Sequence, residues 1–225
     1  MCKMIKAVIF DLDGTLIDTE KYFKVNWPKA AAHFGYEMTE EQALEIRSLG
    51  RPFAKEQFRE WFGEDFDYVK VRDYRRQLME ETFGENGIPL KPGAIEILTY
   101  LRENGIITAL ATANDYARAE KYLKKIGLFD YFDRIICADM VECGKPAPDI
   151  YKYACEQLGE NPANCLAIED SPNGIKSAYA AGCKPVFIPD QTSIDDSISG
   201  MVFSCQESLM GIRTIVEEEM ESITE

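Results

Sequence analysis

The stretch Ala7-Val8-Ile9-Phe10-Asp11-Leu12-Asp13-Gly14-Thr15-Leu16 decides the fold. Its four leading apolar residues are too few for a helix, and acids and a glycine turn follow them at once, so they read as a short strand buried on both faces. Ile106 to Ala111, Arg134 to Ala138, Leu166-Ala167-Ile168 and Pro185-Val186-Phe187-Ile188 have the same character. Helical patterns lie between them: Pro92 to Glu103 closed by Asn104-Gly105, Asp115 to Ile126 closed by Gly127, Asp149 to Leu158 closed by Gly159, and Pro172 to Ala181 closed by Gly182. From Gly87 onward this alternation predicts an α/β fold, a doubly wound Rossmann-like parallel sheet.

Asp18 to Asn86 breaks the alternation, with no strand pattern and several amphipathic, charge-rich segments. Thr39-Glu40-Glu41-Gln42 has the form of a capping box, and Arg51-Pro52 and Gly63-Glu64 mark breaks between helices. The expected organisation is therefore a core domain over 1–17 and 87–225 with an inserted all-helical cap domain over 18–86. An insertion directly after the first strand sits above the carboxyl edge of the sheet, where ligands of such folds bind, so a lid is expected.

With 46% hydrophobic and 28% charged residues, the 225-residue chain has the composition of a globular protein. Its 25 basic and 39 acidic residues give a net charge of −14, a field that opposes nucleic acid and anionic membrane. No apolar run reaches the roughly 18 residues of a spanning helix, and Met1 to Lys6 leads straight into a strand rather than a signal peptide's apolar region. The expected partner is a small molecule, with no nucleic acid and no membrane, in the cytoplasm. Seven scattered cysteines without a C-x-x-C pair read as small core residues in a reducing compartment. The single histidine, His33, lies in a helical pattern, which disfavours a Ser-His-Asp triad and a multi-histidine metal site. No coiled-coil repeat is present, and a monomer is expected.

The chemistry-bearing residues gather at strand ends. Asp11 and Asp13 leave the first strand two residues apart at a tight turn, where paired carboxylates repel unless a cation joins them; oxygen ligands favour Mg²⁺. A carboxylate so placed can also attack an electrophilic phosphorus. Leu110-Ala111-Thr112-Ala113-Asn114 ends the second strand with a hydroxyl and an amide opening a helix, a cradle for phosphate oxygens or, more plainly, a helix cap at Asn114. Gly144-Lys145-Pro146-Ala147-Pro148-Asp149 holds one lysine in a stiff loop, suited to neutralising a phosphate and a carboxylate. Ile168-Glu169-Asp170-Ser171-Pro172-Asn173-Gly174 brings adjacent acids to another strand end, for a metal or for capping by Asp170 or Ser171.

Taken in this order, D-L-D-G-T, A-T-A-N, G-K-P-A-P-D and E-D-S-P-N-G resemble the four motifs of the haloacid dehalogenase superfamily, in its phosphatase and β-phosphoglucomutase-like branch with a small α-helical cap. The resemblance spans nearly the whole chain. It implies a Mg²⁺-dependent phosphoric monoester hydrolase in which Asp11 is the nucleophile that forms an aspartyl-phosphate and Asp13 the general acid/base. It also implies that Thr112, the Ala113 N–H and Asn114 bind the phosphate and that Lys145 balances charge. The metal would be held by Asp11, the Asp13 backbone carbonyl, Asp170 and Glu169. Dehalogenase chemistry is not implied, because the dehalogenase branch does without Mg²⁺ and lacks the second aspartate, present here as Asp13.

β-Phosphoglucomutases, which the chain also resembles, carry a histidine five residues after the acid of the D-T pair, where this sequence has Phe23, and an arginine three residues after a cap glycine, where it has Phe53. Hydrolysis of a small phosphate ester, a sugar or polyol phosphate, is thus the expected reaction. The alternatives are a phosphosugar mutase and a non-catalytic phosphoryl-binding domain. Lys70, Arg72, Arg75 and Arg76 form the densest basic run; with Asp67 and Asp73 interspersed it reads first as a solvated helix face, and alternatively as a clamp for a distal anionic group of the substrate.

Overall fold

The computed structural model describes residues 5–221. Six parallel strands, β1 (Ala7–Phe10), β2 (Ile107–Thr112), β3 (Arg134–Cys137), β4 (Cys165–Glu169), β5 (Lys184–Phe187) and β6 (Ser204–Cys205), form one sheet in the order β3-β2-β1-β4-β5-β6. β1 lies at its centre, with Phe10 in register with Leu110 of β2 and Ile168 of β4. The chain winds outward from β1 in both directions, so the carboxyl ends of β1, β2 and β4 converge at the switch point of the sheet.

Alternation along each strand sends side chains to two faces. Val8, Phe10, Leu110, Leu166 and Ile168 meet α5 (Ala94–Glu103), α6 (Tyr116–Lys125) and α9 (Gly211–Glu221) in one core cluster. On the other face Ala7, Ala109, Ala111 and Ala167 surround Ile9, and this run of small residues admits α7 (Asp149–Leu158) and α8 (Pro172–Ala181). α7 and α8 have the bounds read from the sequence. α5 starts later than expected, at Ala94, because Gly93 takes a left-handed φ of 85° that interrupts the helix. β6 went unread: two residues, Ser and Cys, at a sheet edge carry no apolar run.

Between β1 and α5 the chain forms α1 (Glu20–His33), α2 (Glu40–Glu45), α3 (Phe53–Phe62) and α4 (Tyr68–Asn86). Thr39 makes both bonds of the capping box with Gln42, and Pro52 and Gly63 flank α3 as the sequence indicated. These helices have an apolar centre of their own, around Trp27, Phe58, Phe66 and Val71. The chain leaves and returns side by side: Ile17 bridges Leu90, Asp18 N–H donates to the Pro89 carbonyl at 2.9 Å, and Lys91 N–H donates to the Leu16 carbonyl at 2.9 Å.

Cys137, Cys155, Cys165 and Cys183 are buried and Cys143 is half-buried, in keeping with small core residues, whereas Cys205 on the edge strand is exposed; Cys2 lies outside the described residues. His33 stacks on Tyr74 at 4.1 Å between ring centres, a packing role.

Candidate active site

Asp11 emerges from β1 almost fully buried, its amide donating to the Ile168 carbonyl at 3.0 Å. Lys145, equally buried, reaches it from the loop before α7. All three ammonium hydrogens have an acceptor: Asp11 Oδ1 at 2.5 Å, Glu169 Oε1 at 2.6 Å and the Ala111 carbonyl at 2.9 Å. Tyr151 of α7 donates its hydroxyl to the same Glu169 oxygen at 2.5 Å. Asp170 faces a cation from the turn after α2, Arg47, whose guanidinium lies 3.1 Å from Asp170 Oδ2 and also reaches Thr192 Oγ1.

Burial dominates the protonation of this centre. It pushes Asp11 well above the usual carboxylate range against the opposing pull of Lys145, and pushes Asp170 up to about 7 against Arg47. Burial alone would lower Lys145, but Asp11 and Glu169 outweigh it and hold the ammonium protonated. Glu20, the first residue of α1, is likewise raised by burial and then by Asp170.

Asp11, Glu169 and Asp170 offer oxygens all within 4.8 Å of one another. Asp170 Oδ1 is buried without a hydrogen-bond partner, and two glycines make room for these carboxylates. A Cβ on Gly14 would fall 2.3 Å from Asp170 Oδ2 at a φ of 82°, and one on Gly174 would fall 2.0 Å from the Glu169 carboxylate. Three buried acids, an orphaned oxygen and an all-oxygen donor set fit a hard divalent cation such as Mg²⁺.

Asp13 stands apart from this trio. Thr19 donates to its Oδ1 at 2.6 Å and Asn114 Nδ2 to its Oδ2 at 2.6 Å, which fixes the carboxylate on the cavity wall. Asn114 also donates to Thr112 Oγ1, so it joins the second strand end to the first; capping of α6 falls to Asp115, whose side chain accepts from Arg118 N–H. Ser171, rather than Asp170, caps α8, accepting from Gly174 N–H at 3.1 Å.

Asp11, Asp13, Thr112, Ala113 and Asn114 form one wall of a cavity of about 320 Å³, and most of the rest of its lining comes from α1, α2, α4 and the loop before α3, including Phe23, Trp27, Arg72, Arg75 and Arg76. Of the basic run, Lys70 alone stays outside this lining. The cap segment is stitched to the core beside Lys145: Gly50 N–H donates to the Lys145 carbonyl and Gly144 N–H to the Arg51 carbonyl, both at 2.8 Å. A Cβ on Gly50 would fall 2.5 Å from Gly144 Cα, so this approach requires glycine on both sides. Asn173 adds a bond to the Arg47 carbonyl at 2.9 Å.

Sequence reasoning missed Thr19, Glu20, Arg47 and Tyr151 at this centre. Thr19 and Glu20 follow the first motif closely and position alone could have marked them. Arg47 and Tyr151 carried no local signal, since they meet the acids only through tertiary packing.

The family model for haloacid dehalogenase-like hydrolases matches residues 5–182. Hexitol phosphatase B of Escherichia coli K12 is 30% identical over 86% of this chain and 88% of its own length. The phosphorylated carbohydrates phosphatase of Thermotoga maritima is 30% identical over 81% of this chain and 84% of its own. Among solved structures, β-phosphoglucomutase from Clostridium difficile superposes with a TM-score of 0.81 at 25% identity, covering 99% of this chain and 100% of the other.

Proposed function

Because the chain belongs to the haloacid dehalogenase-like hydrolases, we propose that it is a Mg²⁺-dependent phosphatase that hydrolyses a small phosphorylated sugar or polyol through an aspartyl-phosphate on Asp11. The observation that carries this reading is the division of labour between the two aspartates of the first motif. Asp11 sits in the buried acidic trio beside Lys145, while Asp13 is outside it, oriented over the cavity by Thr19 and Asn114. The phosphatases among its relatives, acting by name on hexitol phosphates and phosphorylated carbohydrates, support the substrate class.

Asp11, Glu169 and Asp170, with the Asp13 backbone carbonyl, would hold Mg²⁺, which when bound supplies charge neutralisation for nucleophile and phosphate. An Asp11 oxygen attacks phosphorus as the ester P–O bond breaks, and Asp13 in its protonated form gives its proton to the leaving alcohol oxygen. The resulting Asp13 carboxylate then takes a proton from water. The water oxygen bonds to phosphorus, the Asp11–phosphoryl bond breaks, and inorganic phosphate leaves. Lys145 offsets negative charge through both half-reactions, and Thr112, Ala113 and Asn114 serve as the phosphate cradle. Residues 18–86 act as the cap domain that closes this site against bulk water.

The test is phosphorus NMR with sugar and polyol monophosphates, including β-glucose 1-phosphate with a trace of glucose 1,6-bisphosphate. Growth of inorganic phosphate with Mg²⁺, and its loss in EDTA, is expected. Conversion of the 1-phosphate to the 6-phosphate without free phosphate would make the enzyme a mutase, and full turnover in chelator would exclude the metal's role.

A further inference from the structure

Arg75, in the middle of α4, is only 8% exposed, yet it makes no hydrogen bond or ion pair to any carboxylate among the described residues, and its Nε is buried without a partner. Its guanidinium lies over two neighbouring rings of α1, 4.6 Å from the centre of Phe23 and 4.8 Å from that of Trp27. Ring faces hold the cation in place but accept none of its N–H donors in the plane of the fork. A buried guanidinium without an anion is costly, and burial followed by the nearby charge of Arg118 brings Arg75 down to about 10. Arg76 beside it spends its guanidinium on Asp115 at 2.9 Å but leaves its own Nε buried and unpartnered.

Arg75 and Arg76 line, from the helical segment, the same cavity as Asp11, Asp13 and Thr112, and the Asp13 carboxylate is near enough to oppose the lowering of Arg75. The transferred phosphoryl group already has its partners on the sheet wall. Resting on the phosphatase reading above, we infer that the substrate carries a second oxyanion, a phosphate or carboxylate at the end remote from the scissile ester, and that Arg75, held over Phe23 and Trp27 and flanked by Arg72 and Arg76, clamps it. A guanidinium fork matches either oxyanion through paired hydrogen bonds, and such a clamp also gives a strongly acidic protein a local positive site for an anionic ligand.

The test compares three six-carbon esters that differ at the remote end: sorbitol 6-phosphate, 6-phosphogluconate and fructose 1,6-bisphosphate. The wild-type enzyme is expected to show kcat/KM about 10- to 100-fold higher for one or both doubly anionic esters than for the neutral-ended one. Which one distinguishes phosphate from carboxylate. Arg75→Gln should reduce that selectivity ratio by a similar factor and Arg75→Lys should restore part of it. Equal kcat/KM for all three esters in the wild type, or a uniform loss across all three in Arg75→Gln, would overturn the clamp. The wild-type ratio alone decides if the glutamine variant does not fold. Absence of phosphate release from every ester would instead sink the phosphatase reading.

Discussion

The two walls of the cavity hold their cations on opposite terms. On the sheet wall Lys145 is buried with all three of its donors taken, two of them by carboxylates. On the cap wall Arg75 is almost as buried, yet it makes no ion pair with any carboxylate among the described residues, its Nε has no partner, and its guanidinium lies over two aromatic rings. The first arrangement satisfies its cation within the protein and, in the proposed mechanism, preorganises the reacting carboxylate; the second, as inferred above, is completed by an anion that enters the cavity. The proposed function thereby divides reaction chemistry and selectivity between the sheet and the helical segment, which has its own apolar centre although Met79 and Phe83 of α4 pack into the cluster on the sheet.

The largest expected effect breaks the sheet wall's chemistry while leaving its packing. Asp13→Asn keeps the size of a side chain that Thr19 and Asn114 hold but removes its proton transfer, and should lower kcat by roughly 10²- to 10⁴-fold in a phosphate-release assay. Wild-type turnover in this variant would dissolve the separation of roles between Asp11 and Asp13.

A pair of stability measurements then sharpens the contrast between cations. Lys145→Met strands Asp11 and Glu169 as buried acids without their common partner and should cost about 3–5 kcal/mol in urea denaturation. Arg75→Met removes a buried charge that no carboxylate answers and should leave stability unchanged or raised. Equal losses in the two variants would erase the difference between the walls. Smaller still, Tyr151→Phe deletes one hydroxyl that donates to Glu169 and should cost about 1 kcal/mol, read by the same method.

A similarly small effect lies where the two walls touch. Burial works against the Asp115 carboxylate, but the Arg118 amide and the charges of Arg76 and Arg118 hold it below its ordinary value of 3.8. A depressed carboxyl contributes stability that is present above the unfolded value and lost as pH falls through the folded one. Asp115→Ala should therefore cost about 1 kcal/mol at neutral pH, mostly as a lost helix cap. The gap between variant and wild type should close as pH drops below about 4. A gap that widened with acid would contradict the assignment.

Much of the sheet wall was legible in the sequence, for a physical reason. In a parallel sheet the last residue of each strand and the one after it lie at one edge, so Asp11, Thr112 and the Glu169-Asp170 pair converge once the strands are recognised, and Lys145 follows from its loop. The cap wall was far less legible. Arg72, Arg75 and Arg76, interspersed with acids, have the pattern of a solvated face, and nothing local says that α1 will lay Phe23 and Trp27 against Arg75. Glu20 carries no distinguishing mark in the sequence, since an acid in the first turn of a helix is ordinary; only the fold buries it beside Asp170. β6 escaped because a two-residue edge strand has no period to read.

The central claim is a covalent phosphoryl group on Asp11, and the most direct measurement is acid quenching of the Mg²⁺-loaded enzyme during turnover of a phosphate ester, followed by peptide mass spectrometry. The account predicts a phosphoryl group on the peptide that carries Asp11, absent in Asp11→Asn together with phosphate release. Steady turnover with no phosphoryl group on that peptide, or hydrolysis by Asp11→Asn at the wild-type rate, would contradict it.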